Sequence, residues 1–315
     1  MPHVNLRKAA IIGCGFVGSA SAFALMQSGL FSELVLIDTN RPKAEGEALD
    51  ISHGLPFARP MDIHAGHYGE IADAAVIVIT AGAAQKPGET RIDLVKKNVA
   101  IFRSIMAQIK AQQCQGILLI VANPVDILTQ AAIRYSGLPE NRVIGSGTVL
   151  DTARLKYLLG EHLQVDSRSV HAFIIGEHGD SEIAAWSSAN VSGIPLNDFC
   201  DMRGHYHHQA AMHRIAEGVK NSAYEIIEKK QATYYGIAMA IKRICEAILR
   251  DEKSILPVSS MLHGQCGIEG VVLSMPAVVG KDGMEGFVPI QLSQSEQQAL
   301  RLSAAKMKAI AEEEI

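Results

Sequence analysis

The chain has no run of lysines and arginines, no long apolar stretch, no C-x-x-C pair, no internal repeat and no low-complexity linker. Each absence removes a class of protein. With 29 Lys and Arg against 33 Asp and Glu the formal charge is −4, which leaves no basic footprint for nucleic acid or an anionic membrane surface. No segment approaches the roughly 18 uncharged apolar residues of a membrane span. Ile11-Ile12-Gly13-Cys14 superficially resembles a lipoprotein cleavage box, but only Ala9 to Gly13 separate Lys8 from Cys14, whereas an export signal needs roughly 7 to 15 apolar residues. The cysteines, Cys14, Cys114, Cys200, Cys245 and Cys266, are scattered and odd in number, which fits reduced thiols. The expectation is a soluble, cytoplasmic protein whose partners are small molecules and its own copies.

What is present is a chain of 315 residues, 48% hydrophobic, long enough for a sizeable core in one large domain or two ordinary ones. Its first half alternates short β-rich runs with helical patterns: Ala9 to Ile12, Leu34 to Ile37, Asp62 to Ala65, Ala75 to Ile79, Ile117 to Val121 and Arg142 to Ile144. Several are apolar on both faces, as buried parallel strands require. This predicts an α/β fold, a doubly wound parallel sheet over residues 1–147. From Val149 the pattern changes to an amphipathic helix, mixed strands around Val170 to Ile175, long helices over Gln209 to Lys229 and Gly236 to Leu249, and strand-like residues from Ile255 to Met275. Ser293 with Glu296 three residues on reads as the cap of a closing helix. Residues 148–315 are expected to form a second, α+β domain.

The run Gly13-Cys14-Gly15-Phe16-Val17-Gly18 follows the first strand and opens a helix, and Asp38 ends the second strand 20 residues after Gly18. Gly13 allows the tight turn, Gly15 lets the backbone approach a pyrophosphate, Gly18 lets helix and strand pack, and Asp38 bonds a ribose hydroxyl. Such a glycine triplet alone is often an ordinary turn; strand, helix, second strand and acid together point to a dinucleotide. The Asp38 carboxylate would repel a ribose phosphate, so NAD is favoured over NADP. None of the seven tyrosines has a lysine four residues on, which removes the short-chain reductases.

Hydride transfer from a secondary alcohol to nicotinamide needs a base, a cation for developing charge and a grip on the substrate. His178, in Gly176-Glu177-His178-Gly179-Asp180-Ser181, follows an apolar strand from Ala172 to Ile175; histidine titrates near neutrality, though any one of 12 histidines is more often ordinary. Asp151 and Arg154 lie three apart on one helical face with Leu155 and Leu158, as a structural salt bridge or as a site. Asp151 is able to orient His178, with Asp180 as local competitor, and Arg154 offers a planar fork for a carboxylate. The stretch Ala81 to Arg91 leaves a strand end as a Gly- and Pro-containing loop, either a lid carrying Arg91 over the substrate or a solvated basic loop. Asn123, before Pro124 at another strand end, is an amide donor to the site or a helix cap. His205, His207 and His208, and His64 and His67, lack thiols or the H-E-x-x-H arrangement, so no metal is expected.

The glycine turn and these four segments, in this order over nearly the whole chain, resemble the L-lactate and malate dehydrogenase family. The resemblance implies NAD-dependent interconversion of L-lactate and pyruvate, as in fermentation, by a homotetramer. His178 is then the proton acceptor and donor, Asp151 its partner, Arg91 the group that polarises the carbonyl, and Arg154 the carboxylate ligand. Asn123 and Thr233 are implied beside the substrate. Gly13, Gly15, Val17, Gly18, Asp38, Lys43, Tyr68, Gly82, Ala83, Ser104, Val121, Asn123 and Ser146 match the cofactor contacts. Malate dehydrogenases of the family carry arginine where this chain has Gln85, so the neutral side chain favours pyruvate over oxaloacetate; a malate or branched-chain hydroxyacid dehydrogenase is the alternative, and a non-catalytic NAD-binding protein a third reading. Lys156 and His171 match positions where bacterial lactate dehydrogenases bind fructose 1,6-bisphosphate, with Lys156 replacing the usual arginine. Lying two residues from Arg154, Lys156 turns away from the active-site face.

Overall fold

The computed structural model describes residues 4–83, 91–206 and 208–315, with only the backbone of Arg91 included. Along the first half run β1 (Asn5–Ile12), α1 (Phe16–Ser28), β2 (Glu33–Ile37), α2 (Arg41–Ser52), β3 (Asp62–Ala65), β4 (Ala74–Ile79), α3 (Arg91–Ala111), β5 (Ile117–Ile120), α4 (Val125–Ser136) and β6 (Val143–Gly145). Then follow α5 (Val149–Leu163), β7 (Val170–His171), β8 (Ile174–Gly176), β9 (Glu182–Ala184), β10 (Asn190–Val191), β11 (Ile194–Pro195), α6 (Leu196–Met202), α7 (His208–Lys230), α8 (Tyr235–Leu249), β12 (Ser254–His263), β13 (Glu269–Gly280), β14 (Gly283–Phe287) and α9 (Gln294–Glu314).

Six strands pair in parallel in the order β3-β2-β1-β4-β5-β6. The residue types explain why. β4 is Ala-Ala-Val-Ile-Val-Ile and buried throughout, so it has no polar side to turn to water and takes a central place covered on both faces. Its side chains alternate between two cores: Ile77 and Ile79 join Ala10, Ile12, Leu118 and Ile120 beneath α3, α4 and α9, while Val76 and Val78 join Ile11, Leu119, Leu25 and Ile244 beneath α1 and α8. The strand order reverses between β1 and β4, and in open α/β sheets the crevice at the carboxyl ends beside that reversal receives ligands.

The sheet does not stop at β6. Ser259 of β12 pairs with Gly145, and β13, β8 and β9 follow, all antiparallel, giving one sheet of 11 strands with β14 against β13. The two halves of the chain thus share a sheet, and one core holds Ile144, Val149, Ile241, Val258 and Ala277 together with Ile11 and Val76. The strand expected from Ala172 to Ile175 is shorter than read: only Ile174 and Ile175 of it are strand, in β8 of the large sheet, while β7 just before it (Val170–His171) belongs to a separate three-stranded sheet with β10 and β11. The capping pair is present as read, with the Ser293 hydroxyl accepting from the Glu296 N–H and the Glu296 carboxylate from the Ser293 N–H. All five cysteines are unpaired. No helix among the described residues is long and apolar enough to cross a membrane.

Candidate active site

The glycine turn joins β1 to α1 through backbone geometry. Gly13 has φ of 103°, and a Cβ there would lie 2.6 Å from the Ala81 nitrogen. A Cβ on Gly18 would lie 1.9 Å from the Gly13 carbonyl oxygen. Gly15 is different: its φ is −73° and a Cβ would meet nothing within 4 Å. The protein itself makes no demand for glycine at this position, and the open space there, at the start of α1, has room for a pyrophosphate group. Asp38, half-buried at the end of β2, closes the turn: its Oδ2 accepts from the Cys14 N–H at 2.7 Å and its Oδ1 from the Asn40 N–H at 2.8 Å. Its remaining lone pairs are available to a ribose hydroxyl, so the residues present fit a dinucleotide. Val17 is half-buried in α1, and Tyr68, Gly82, Ala83, Val121, Asn123 and Ser146 follow β3, β4, β5 and β6 at the same edge of the sheet.

Farther along the sheet, a cavity of about 540 Å³ is lined by Asn123, Asp151, Arg154, His178 and Glu182, with Ile227 of α7 and Met307 of α9 among its apolar walls. Asp151, 2% exposed, holds two partners at once: its Oδ2 accepts from His178 Nδ1 at 2.5 Å and its Oδ1 from Arg154 at 2.8 Å. The charged pair read at Asp151 and Arg154 is a salt bridge, and the same carboxylate also holds the His178 ring. The competitor Asp180 instead accepts from the Tyr224 hydroxyl at 2.8 Å. Burial alone would lower the proton affinity of His178, but the charge and hydrogen bond of Asp151 outweigh it and raise the pKa to about 9. Burial likewise opposes ionisation of Asp151, and His178 and Arg154 overcome it, so this carboxylate titrates below its ordinary range.

Residues 7–145 match the family model for the lactate/malate dehydrogenase NAD binding domain, and residues 148–315 match the model for the alpha/beta C-terminal domain of the same family. The chain belongs to the lactate/malate dehydrogenase family. Among its relatives, the L-lactate dehydrogenase of Acetivibrio thermocellus is 53% identical over 305 residues, 97% of this chain and 96% of that one. The L-lactate dehydrogenase of Thermoanaerobacter pseudethanolicus is 52% identical over 308 residues, covering 98% and 99%. Among solved structures, a lactate dehydrogenase from a Medee basin deep-sea metagenome library superposes with a TM-score of 0.96 at 44% identity, over 100% of this chain and 99% of that one. The ligand-bound minor L-lactate dehydrogenase of Enterococcus mundtii gives 0.94 at 43%, over 98% of each.

In this lactate/malate dehydrogenase chain, supporting residues hold the site that sequence reading passed over. Asp126, fully enclosed at the start of α4, accepts from the His178 backbone N–H at 2.8 Å and from the Ser259 hydroxyl at 2.5 Å, pinning the histidine turn to the sheet. Burial pushes this carboxyl up to about 6. Asn98 of α3 is completely buried; it accepts from the Ala83 N–H at 2.7 Å and donates to the Asn123 carbonyl at 2.8 Å, tying together the segments after β4 and β5. A lone amide among Val95, Val99 and Phe102 was the signal that marked it. Glu177, paired with Lys306 at 3.1 Å, braces the turn from the other side.

Other expected residues fall elsewhere. Asn123 lines the cavity and does not cap α4, whose cap position is Pro124. Thr233 is half-buried just before α8, outside the cavity lining, and its neighbour Tyr234 stacks on Phe16 of the glycine turn with ring centroids 5.4 Å apart. Lys43 is exposed in the first turn of α2, and Ser104 is exposed well inside α3. Lys156 is half-buried on α5, where burial lowers its proton affinity, and His171 is exposed on β7. Gln85 and the Arg91 side chain lie outside the described residues, as does His207; Arg91 opens α3, at the end of the stretch read as a loop. His64 pairs with Glu70 at 2.9 Å, and His208 with Asn197 at 2.9 Å.

Proposed function

We propose that this chain interconverts L-lactate and pyruvate with His178, Asp151, Arg154 and Arg91 as its working residues. The observation that carries the assignment is the Asp151 carboxylate shared between His178 and Arg154 at one end of the cavity. A carboxylate is an acceptor only, so His178 Nδ1 must carry the hydrogen between them. Nε2 is left to take the hydroxyl proton of lactate or to return it to the carbonyl oxygen of pyruvate. Asp151 stabilises the imidazolium formed in the first case. The guanidinium edge of Arg154 that does not face Asp151 grips the substrate carboxylate in a bidentate pair, which places the oxygen on C2 within reach of His178. Residues along the carboxyl edge from the glycine turn to Asn123 would hold NAD, which would accept or supply the hydride. From the sequence, Arg91 polarises the carbonyl and Gln85 meets the methyl group.

The homotetramer, the cytoplasmic location and the bisphosphate site at Lys156 and His171 belong to the same proposal, supported by the family match. A non-catalytic dinucleotide binder would have no use for a proton relay buried in a second cavity. The test follows NADH absorbance with pyruvate and oxaloacetate side by side. Pyruvate is expected to give the higher kcat/KM, and Gln85→Arg to reverse the order. Equal turnover of both acids by the unaltered chain would overturn the reading.

A further inference from the structure

Glu182 opens β9, across from Gly176 of β8 in the sheet register, and faces the substrate cavity. A carboxyl oxygen of Glu182, one of Asp151 and a ring nitrogen of His178 all lie within 4.8 Å of one another. The other acids at this wall have partners: Asp151 has His178 and Arg154, Glu177 has Lys306 and Ser181, and Asp180 has the Tyr224 hydroxyl. Glu182 is the exception, since its Oε1 is sealed from solvent and makes no hydrogen bond. The charged groups facing it are Asp151 and Arg154 from α5, His178 from the turn and Lys220 from α7; Lys306 of α9 lines the same cavity but is paired with Glu177.

We propose that Glu182 gates substrate binding: the 2-oxo acid anion binds while Glu182 is protonated, and an ionised Glu182 turns the substrate carboxylate away. The inference rests on the lactate–pyruvate reading above. With His178 protonated for pyruvate reduction, the cluster of Asp151, His178 and Arg154 carries one net positive charge, which one substrate carboxylate neutralises; Lys220 of α7, and Arg91 on the lactate–pyruvate reading, add positive charge outside that cluster. A second buried anion at Glu182 removes that balance, and no hydrogen bond to its Oε1 offsets the loss of water. Burial, reinforced by the Asp151 charge and only partly opposed by His178, Arg154 and Lys220, holds this carboxyl protonated up to about pH 8. Substrate affinity is therefore linked to a proton on Glu182 as well as to the one His178 delivers.

The test measures KM for pyruvate from pH 6.5 to 9.5 at saturating NADH, in the unaltered chain and in Glu182→Gln, whose amide imitates the protonated acid. Between pH 7 and 9 the KM of the unaltered chain is expected to rise roughly tenfold more than that of the variant. An equal rise in both overturns the assignment. A second measurement needs no variant: oxamate, a non-reducible isostere of pyruvate, is added to the enzyme–NADH complex at pH 8.5 and proton uptake is read with an indicator dye. Uptake of about one proton per site supports two linked groups, whereas about a quarter, the share of His178 alone, overturns the proposal. If pyruvate is not reduced and oxamate does not bind, the lactate reading falls and the Glu182 assignment with it; if pyruvate is reduced with parallel KM profiles, only the Glu182 assignment falls.

Discussion

The glycine turn and the histidine turn both follow strands of one sheet, and they are held by different forces. At Gly13 to Gly18 the restraint is steric: the missing side chains let the backbone pass 1.9 to 2.6 Å from where a Cβ would be. At His178 the restraint is a chain of polar contacts, with the backbone N–H on Asp126, the ring on Asp151, and Asp151 on Arg154. The first device tolerates little change in shape and is indifferent to pH. The second tolerates changes of shape at its edges but responds to every charge nearby.

Substitutions that separate the two devices test this contrast. The largest effect is expected from His178→Asn, which should lower kcat for pyruvate by about 10²- to 10⁴-fold, the usual contribution of a general acid. Fluorescence titration should show NADH affinity unchanged within about twofold, by analogy with sites that share no partners; loss of both together would mean that the two turns act as one. Next comes Gly18→Ala, whose clash with the Gly13 carbonyl should cost about 1–3 kcal/mol of stability in thermal melts. Gly15→Ala sharpens the point, because it should leave Tm nearly unmoved while weakening NADH binding.

A third, smaller effect is electrostatic. The pKa of His178 is raised, so the stability gained from its pairing is complete below about pH 6.5 and is lost as pH rises through about 9. Asp151→Asn should shift the His178 titration down by roughly one to three units, read by NMR on labelled histidine; an unmoved titration would place the cause elsewhere. The smallest effect is expected at Lys156 and His171. Millimolar fructose 1,6-bisphosphate should raise activity modestly at low pyruvate and saturating NADH, since a lysine supplies a point charge where a guanidinium fork would grip. Unchanged kinetics would remove that site.

The same contrast explains what was legible in the residues. β4 and β5 are contiguous runs buried on both faces, and the glycine turn lies within six consecutive residues, so local chemistry declares them. The histidine network joins positions 27 and 52 residues apart, and nothing local pairs Asp126 with the His178 backbone. Asp151 and Arg154 were visible as a charged pair on an apolar stripe, but their partner His178 became specific only through the family's combination of motifs. Nothing in the sequence singled out Glu182, because its meaning comes from a hydrogen bond its Oε1 lacks. The crossing from one sheet to the other between His171 and Ile174 was equally hidden, since apolar residues do not say which neighbour they face.

The pairing of Ser259 with Gly145, together with the core shared by Ile11, Val76, Val258 and Ala277, has a mechanical meaning. The two halves form one plate rather than two plates on a hinge. Heat or denaturant should therefore meet a single cooperative unit, with amide protons of β4 and β13 exchanging at similar rates through the same global opening. Any closure over substrate has to come from segments lying on that plate, while the plate keeps the distance between glycine turn and histidine turn fixed.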